Sequence, residues 1–234
     1  MNRFKTIGVL GGMGPAASAH FYQLLLKYSQ KIYGAVQDDE YPQIIINSLA
    51  LTGSTEKGME ENELIVRQLS EGIKALEKSN SDFIVIPCNS VHNVINELRK
   101  KSDLPIISII EKVSEAVIKS AVKKVLVLAS ETTDKYGLYD HLSENDIEIL
   151  KPDKSLRKKV TKLILSAMGN KEVNLSKKAV INEINKLLTQ GKIDSVILGC
   201  TELPLAISQK DTNATVFDSL EILAKAALEC ARND

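Results

Sequence analysis

At 234 residues the chain is long enough for one large α/β domain or two lobes of about 100–120 residues each. Lys plus Arg and Asp plus Glu balance at 30 each and aromatic residues make up only 4 % without a Trp, so neither charge nor stacking favours nucleic acid, and no net charge draws the chain to an anionic membrane. No apolar run approaches the ~18 residues of a membrane span, and three distant cysteines make no disulfide framework and no CxxC pair, which fits a reducing cytoplasm.

In chain order, residues 6–10 read as a buried strand that runs into the loop Gly11-Gly12-Met13-Gly14-Pro15. A helix over residues 17–33 carries apolar Phe21, Leu24, Leu25 and Tyr28, and residues 44–47 form a second strand. Residues 49–58 are polar and glycine-bearing and read as a loop. The spacing of Leu64, Leu69, Ile73 and Leu76 predicts a helix over 60–78. Next come a strand ending near Cys88, a helix over 90–100, a short strand at 105–108 and a helix over 111–120.

A second pass begins at Lys123. Residues 125–128 read as a strand, 130–133 as its loop, 133–144 as a helix and 147–150 as a strand. Helices over 155–168 and 175–190 precede a strand ending near Cys200, then a short extended piece at 216–217 and a C-terminal helix over 219–231. Strand alternating with helix predicts an α/β fold with mainly parallel sheets. The order of elements in the first half recurs in the second, which predicts two pseudo-symmetric three-layer α/β lobes. The division expected is 1–112, joined by the C-terminal helix 213–234, and 113–212.

The two most informative stretches are alike. Asp82-Phe83-Ile84-Val85-Ile86-Pro87-Cys88-Asn89-Ser90 and Asp194-Ser195-Val196-Ile197-Leu198-Gly199-Cys200-Thr201-Glu202 each run from an acid through a buried strand to a breaker, a cysteine and small polar residues. In open α/β sheets, ligands bind beyond the carboxyl ends of strands. A thiol at that edge in each lobe suits inversion of a stereocentre beside a carboxylate, where one group removes the Cα proton and an opposed group delivers another. Predicted helix starts after each cysteine offer backbone N–H groups to a carboxylate, and Asn89, Ser90 and Thr201 add hydrogen-bonding groups.

Three stretches together resemble the cofactor-independent aspartate/glutamate racemase family, and closest to them are the aspartate racemases: Ile7 through Pro15, Ile86-Pro87-Cys88-Asn89-Ser90 with His92, and Leu198 through Pro204. The resemblance implies an amino-acid substrate, an interlobe cleft, a homodimer, and neither pyridoxal phosphate nor metal. It implies Cys88 and Cys200 as proton carriers, with Met13, Asn89, Ser90 and Thr201 on the substrate's carboxylate and amino group. Ser130 and Thr133 match a hydroxyl-rich, substrate-contacting segment. Two departures bear on side-chain preference. Aspartate racemases commonly carry an arginine in a Pro-Asp-Arg-Thr-like stretch after the second strand, where this chain has Ser48-Leu49-Ala50-Leu51-Thr52-Gly53. Some carry a lysine where Ser166-Ala167-Met168-Gly169 has alanine. A hydroxyl does not replace a bidentate guanidinium. Lys57 and Arg67 are the basic residues nearest that stretch in the sequence.

Other features weigh less. Cys230 has the spacing of a helix core position. The glycine loop lacks the ending of a P-loop. Cys88 and His92 are four apart, but no second ligand pair accompanies them, so His92 reads as a packing or near-site histidine. Glu202 either orients Cys200 within the binding site or favours a helix start. Tyr136 and Tyr139 read as packing. Competing functions are a maleate isomerase-like enzyme, with covalent attack by one thiolate, and a catalytically silent metabolite-binding or redox-sensing protein.

Overall fold

A computed structural model describes residues 4–55, 58–59, 62–169 and 171–232. The elements are β1 (Ile7–Gly11), α1 (Pro15–Tyr33), β2 (Ile44–Ser48), the two-residue strands β3 (Ser54–Thr55) and β4 (Gly58–Met59), α2 (Asn62–Lys78), β5 (Phe83–Val85), α3 (Ile95–Lys101), β6 (Ile106–Ile107) and α4 (Ile109–Lys119). They continue with β7 (Lys124–Ala129), α5 (Glu131–Lys135), β8 (Glu148–Leu150), α6 (Lys154–Gly169), α7 (Val173–Thr189), β9 (Ser195–Gly199), β10 (Thr215–Asp218) and α8 (Ser219–Ala231). Two compact units result. One is built mainly from the chain before Val113 together with the chain from Leu220 on, the other mainly from Val113–Ser219. Lys57 and the expected start of the second helix at Glu60 lie outside the described residues.

Each unit has a four-stranded parallel sheet. The first is ordered β2-β1-β5-β6 and the second, read from its β8 edge, β8-β7-β9-β10. The two orders are the same. In both, the chain lays down a strand, adds the next on one side, crosses to the other side for the third, and ends at the far edge. The third strand carries the cysteine in each case, which makes the repeat one of strand order as well as of sequence plan. Thr215–Asp218 pairs with β9, so this strand belongs to the second sheet, although residues 213–234 were expected with the first lobe.

Both cores follow from the apolar runs. In the first unit, Ile65, Leu69, Ile73 and Leu76 form one stripe of α2 and pack against Leu10, Ile84 and Ile86. In the second, Leu156, Val160, Leu163 and Ile164 of α6 and Val180 and Ile184 of α7 cover Leu126, Leu128, Val196 and Leu198. Burying each such side chain contributes about 1.5–3 kcal/mol.

The acids that precede the cysteine strands do more than end turns. The Asp82 carboxylate accepts the Thr6 N–H at 2.6 Å, just before β1. Asp194 accepts the N–H groups of Lys123 and Lys124 at 2.7 and 3.1 Å, at the start of β7. In both units the third strand is thus tied to the first at its amino end, which sets the register that brings their carboxyl ends level.

Some expected helices are shorter. Residues 90–100 divide into a 3-10 segment, Ser90–Val94, and α3. The helix expected over 133–144 is replaced by α5 and a 3-10 segment, Asp140–Asn145, because Gly137 adopts φ 58° after the last turn of α5 and redirects the chain.

Candidate active site

In the first unit the site residues gather where β1 and β5 end. Pro87 stands in a tight turn in which the Cys88 N–H donates to the Ile86 carbonyl at 2.8 Å, so the thiol leaves the sheet immediately after the strand. Cys88 is buried, as is Asn89, and Ser90 is half-buried. Met13 lies in the glycine loop after β1 and packs against the cluster that contains Cys88. That loop is held by Ser18 of α1, whose hydroxyl accepts the Gly12 N–H at 2.8 Å and donates to the Gly14 carbonyl at 2.9 Å. Gly12 has φ 93°, and a Cβ there would lie 2.2 Å from the Leu49 carbonyl oxygen, so only glycine fits.

His92 braces this edge. Its Nε2 accepts the Ile109 N–H at 3.3 Å, so the ring hydrogen is on Nδ1, which donates to the Cys88 carbonyl at 2.8 Å. Burial pushes His92 down to about 4, against the opposing pull of the Cys88 carbonyl, and it is therefore neutral near pH 7. Both ring nitrogens are engaged, so the spacing of four from Cys88 serves backbone bracing. Among the described residues no group of three His, Cys, Asp or Glu side chains could hold a metal ion.

In the second unit Ala129 of β7 stands opposite Gly199 of β9, so the next residues, Ser130 and Cys200, leave adjacent strands at one level. Ser130 caps α5: its hydroxyl accepts the Thr133 N–H at 3.3 Å and donates to the Thr133 hydroxyl at 3.1 Å. Both are buried, on a helix start where a loop was expected. Cys200, Thr201 and Glu202 are buried together. The Cys200 thiol donates to Oε2 of Glu202 at 3.1 Å, and the Thr201 hydroxyl donates to the same oxygen at 3.3 Å.

Gly199 is the last residue of β9 rather than a breaker. A Cβ there would lie 3.1 Å from the Tyr139 ring and 3.3 Å from the Leu128 carbonyl, so the missing side chain makes room for the ring. Tyr139 is buried, and its phenol is raised far above the ordinary range by that burial, with Cys200 pushing the same way once it is ionised. It stays a neutral phenol behind the thiol. Tyr136, by contrast, is exposed.

The helical segments expected after the cysteines begin as 3-10 turns rather than as α-helices. Cys88 is followed by five residues of 3-10 helix, and Cys200 by a turn and the three-residue 3-10 segment Leu203–Leu205. Neither thiol stands at the start of an α-helix. Cys230 is different: it is half-buried on α8, and burial pushes its thiol up, away from nucleophilic chemistry.

Comparison with known proteins places this arrangement. The chain is 28 % identical over 223 residues to the broad specificity amino-acid racemase RacX of Bacillus subtilis, covering 95 % of this chain and 96 % of that one. Its structure resembles that of an aspartate racemase homologue from Pyrococcus horikoshii OT3, with TM-score 0.81 and 31 % identity over 96 % of this chain and 98 % of the other. It also resembles Picrophilus torridus aspartate racemase, with TM-score 0.81 and 25 % identity over 98 % and 96 %. The family pattern described as Asp/Glu/Hydantoin racemase matches residues 10–227. The chain belongs to the Asp/Glu/hydantoin racemase family.

Proposed function

We propose that the protein racemises an amino acid by two-base proton exchange, with Cys88 and Cys200 as the carriers and no pyridoxal phosphate or metal. One sulfur, as thiolate, takes the Cα hydrogen as a proton. The other, as thiol, delivers a proton to the opposite face, and the roles exchange for the reverse direction. The observation that carries this reading is the placement of a buried thiol at the carboxyl end of the third strand in both sheets. The Cys200 S–H directed onto Glu202 suits a sulfur that must keep its proton until it acts as an acid.

Without a cofactor to spread the carbanion charge, donors around the substrate carboxylate must stabilise it. We assign that role to Asn89 and Ser90 with the Met13 loop in the first unit. In the second, Thr201, Ser130 and Thr133 take it, with Glu202 orienting the thiol. The protein works as a homodimer in a reducing compartment such as the cytoplasm, where both thiols stay free. No helix among the described residues is long and apolar enough to cross a membrane.

Incubating single L-amino acids with the protein in deuterated water tests the mechanism. Deuterium should enter at Cα as optical rotation is lost, and Cys88→Ser and Cys200→Ser should each abolish racemisation. If both serine variants racemise at the parent rate, the two-thiol mechanism is wrong.

A further inference from the structure

We propose that the part of this site facing the substrate side chain is apolar, built from Met13, Leu49 and Leu51, and that the preferred substrates have neutral aliphatic or thioether side chains rather than carboxylates. The inference rests on the racemase reading above and extends it to substrate class.

Three neighbouring strands of the first sheet, β2, β1 and β5, end at one edge. They lead, respectively, into the Leu49–Leu51 segment, the Met13 loop and Cys88. The first two are joined: the Leu49 N–H donates to the Gly11 carbonyl at 3.0 Å, and the bare α-carbon of Gly12 lies against the Leu49 backbone. Met13, Leu49 and Leu51 are each half-buried and pack against the cluster that contains Cys88. These three therefore form an apolar rim on the sheet edge from which Cys88 leaves β5. A substrate held by its carboxylate and amino group near Cys88 has this rim available to its side chain.

A side-chain carboxylate there would need a cation or a set of donors. Arg67 is exposed on α2, off the Ile65–Leu69–Ile73–Leu76 stripe that meets the sheet, and lines an outer groove with Glu63, Glu71 and Lys101. Gln68 is a polar residue tied to the segment. Its Oε1 accepts from the N–H and hydroxyl of Thr52 at 3.1 Å each, and its amide donates to the Thr52 carbonyl at 3.1 Å. That amide fixes the loop and is committed to it. An apolar rim gains by covering methylenes, whereas a carboxylate set against it loses its hydration without a replacement.

The test is Cα-deuterium incorporation by the full chain with leucine, methionine, valine, aspartate, glutamate and lysine as separate substrates, read as kcat/KM. Leucine or methionine should exceed aspartate by about tenfold or more, the scale on which apolar pockets discriminate. Leu49→Arg and Leu51→Arg should each move that ratio at least tenfold toward aspartate, and Leu51→Gln gives the same direction if the arginine variants do not fold. Lys57→Ala should leave the ratio as it is. Fastest exchange with aspartate, glutamate or lysine overturns the apolar subsite and leaves the racemase reading standing. Loss of aspartate exchange in Lys57→Ala would identify a cationic anchor and overturn it too. No exchange with any amino acid overturns the racemase reading, and the subsite falls with it.

Discussion

The imidazole of His92 donates from Nδ1 to the carbonyl of Cys88 at 2.8 Å and has no polar edge left for a proton. Protonating it in the fold would break the Ile109 contact. Its value of about 4, against 6.5 for a free histidine, means that below pH 6.5 the unfolded chain takes up a proton that the folded chain refuses. The unfolded state then binds more protons, so stability falls as pH falls from 6.5 to 4. The loss is on the order of 3 kcal/mol over that window, and the contribution is intact above it. Urea midpoints at pH 7.5 and 4.5 should show this. The His92→Asn variant, which keeps a donor for Cys88 but cannot titrate, should show a smaller pH dependence and a lower midpoint at pH 7.5. An equal pH dependence in the two proteins would remove His92 as its source.

Glu202 offers a test at the other thiol. Its carboxylate accepts the Cys200 S–H, so it favours sulfur with its proton on. In Glu202→Gln, Cys200 should be alkylated several-fold faster by iodoacetamide at pH 7, while Cα exchange slows by about tenfold or more. Mass spectrometry of the labelled peptide assigns the site. Unchanged alkylation would show that the carboxylate does not govern the sulfur.

Two glycines with positive φ make a matched pair. At Gly12 an added Cβ would meet the Leu49 backbone at 2.2 Å, whereas at Gly34, with φ 69°, it would meet nothing within 4 Å. Gly34→Ala should cost about 1–2 kcal/mol, the penalty of the left-handed backbone alone. Gly12→Ala should cost more than that and reduce activity, because the Leu49 segment must move. Denaturant midpoints with Cα exchange measure both, and equal costs at the two sites would contradict the close approach.

The tie between the third and first strands predicts parallel behaviour in the two units. Asp82→Ala and Asp194→Ala should each cost about 1.5–3 kcal/mol, the range for hydrogen bonds to a charged group. The asparagine variants should recover part of it. Thermal or urea unfolding of the four variants decides the matter, and a loss confined to one unit would break the parallel.

Much of this was legible in the chain. The β-branched runs before Cys88 and Cys200 announced buried strands, and the order of elements announced two parallel sheets. The site's supports were harder to read. Gly199 looks like punctuation in a sequence, but its purpose is room for Tyr139, sixty residues away along the chain. Thr201 and Glu202 carry the composition of a helix start, yet the chain makes only a 3-10 turn there, with Leu203 and Ile207 drawn into the core. Tertiary burial outweighed the capping signal. His92 lies four residues after Cys88, and nothing local shows that its far nitrogen meets Ile109. Gly137 was visible as a breaker, and the long helix expected through it should have stopped there.

The shared strand order has a thermodynamic consequence. Two halves built to one plan suggest interchangeable thiols, but their surroundings have diverged: Cys88 is braced through its backbone by a neutral imidazole, while Cys200 has a carboxylate on the sulfur itself. Mirror-image amino acids have equal free energies, so kcat/KM must be identical for the two enantiomers whatever the asymmetry of the catalyst. In steady-state turnover the divergence can therefore surface only in kcat and KM taken separately, with the enantiomer of higher KM turned over faster in proportion.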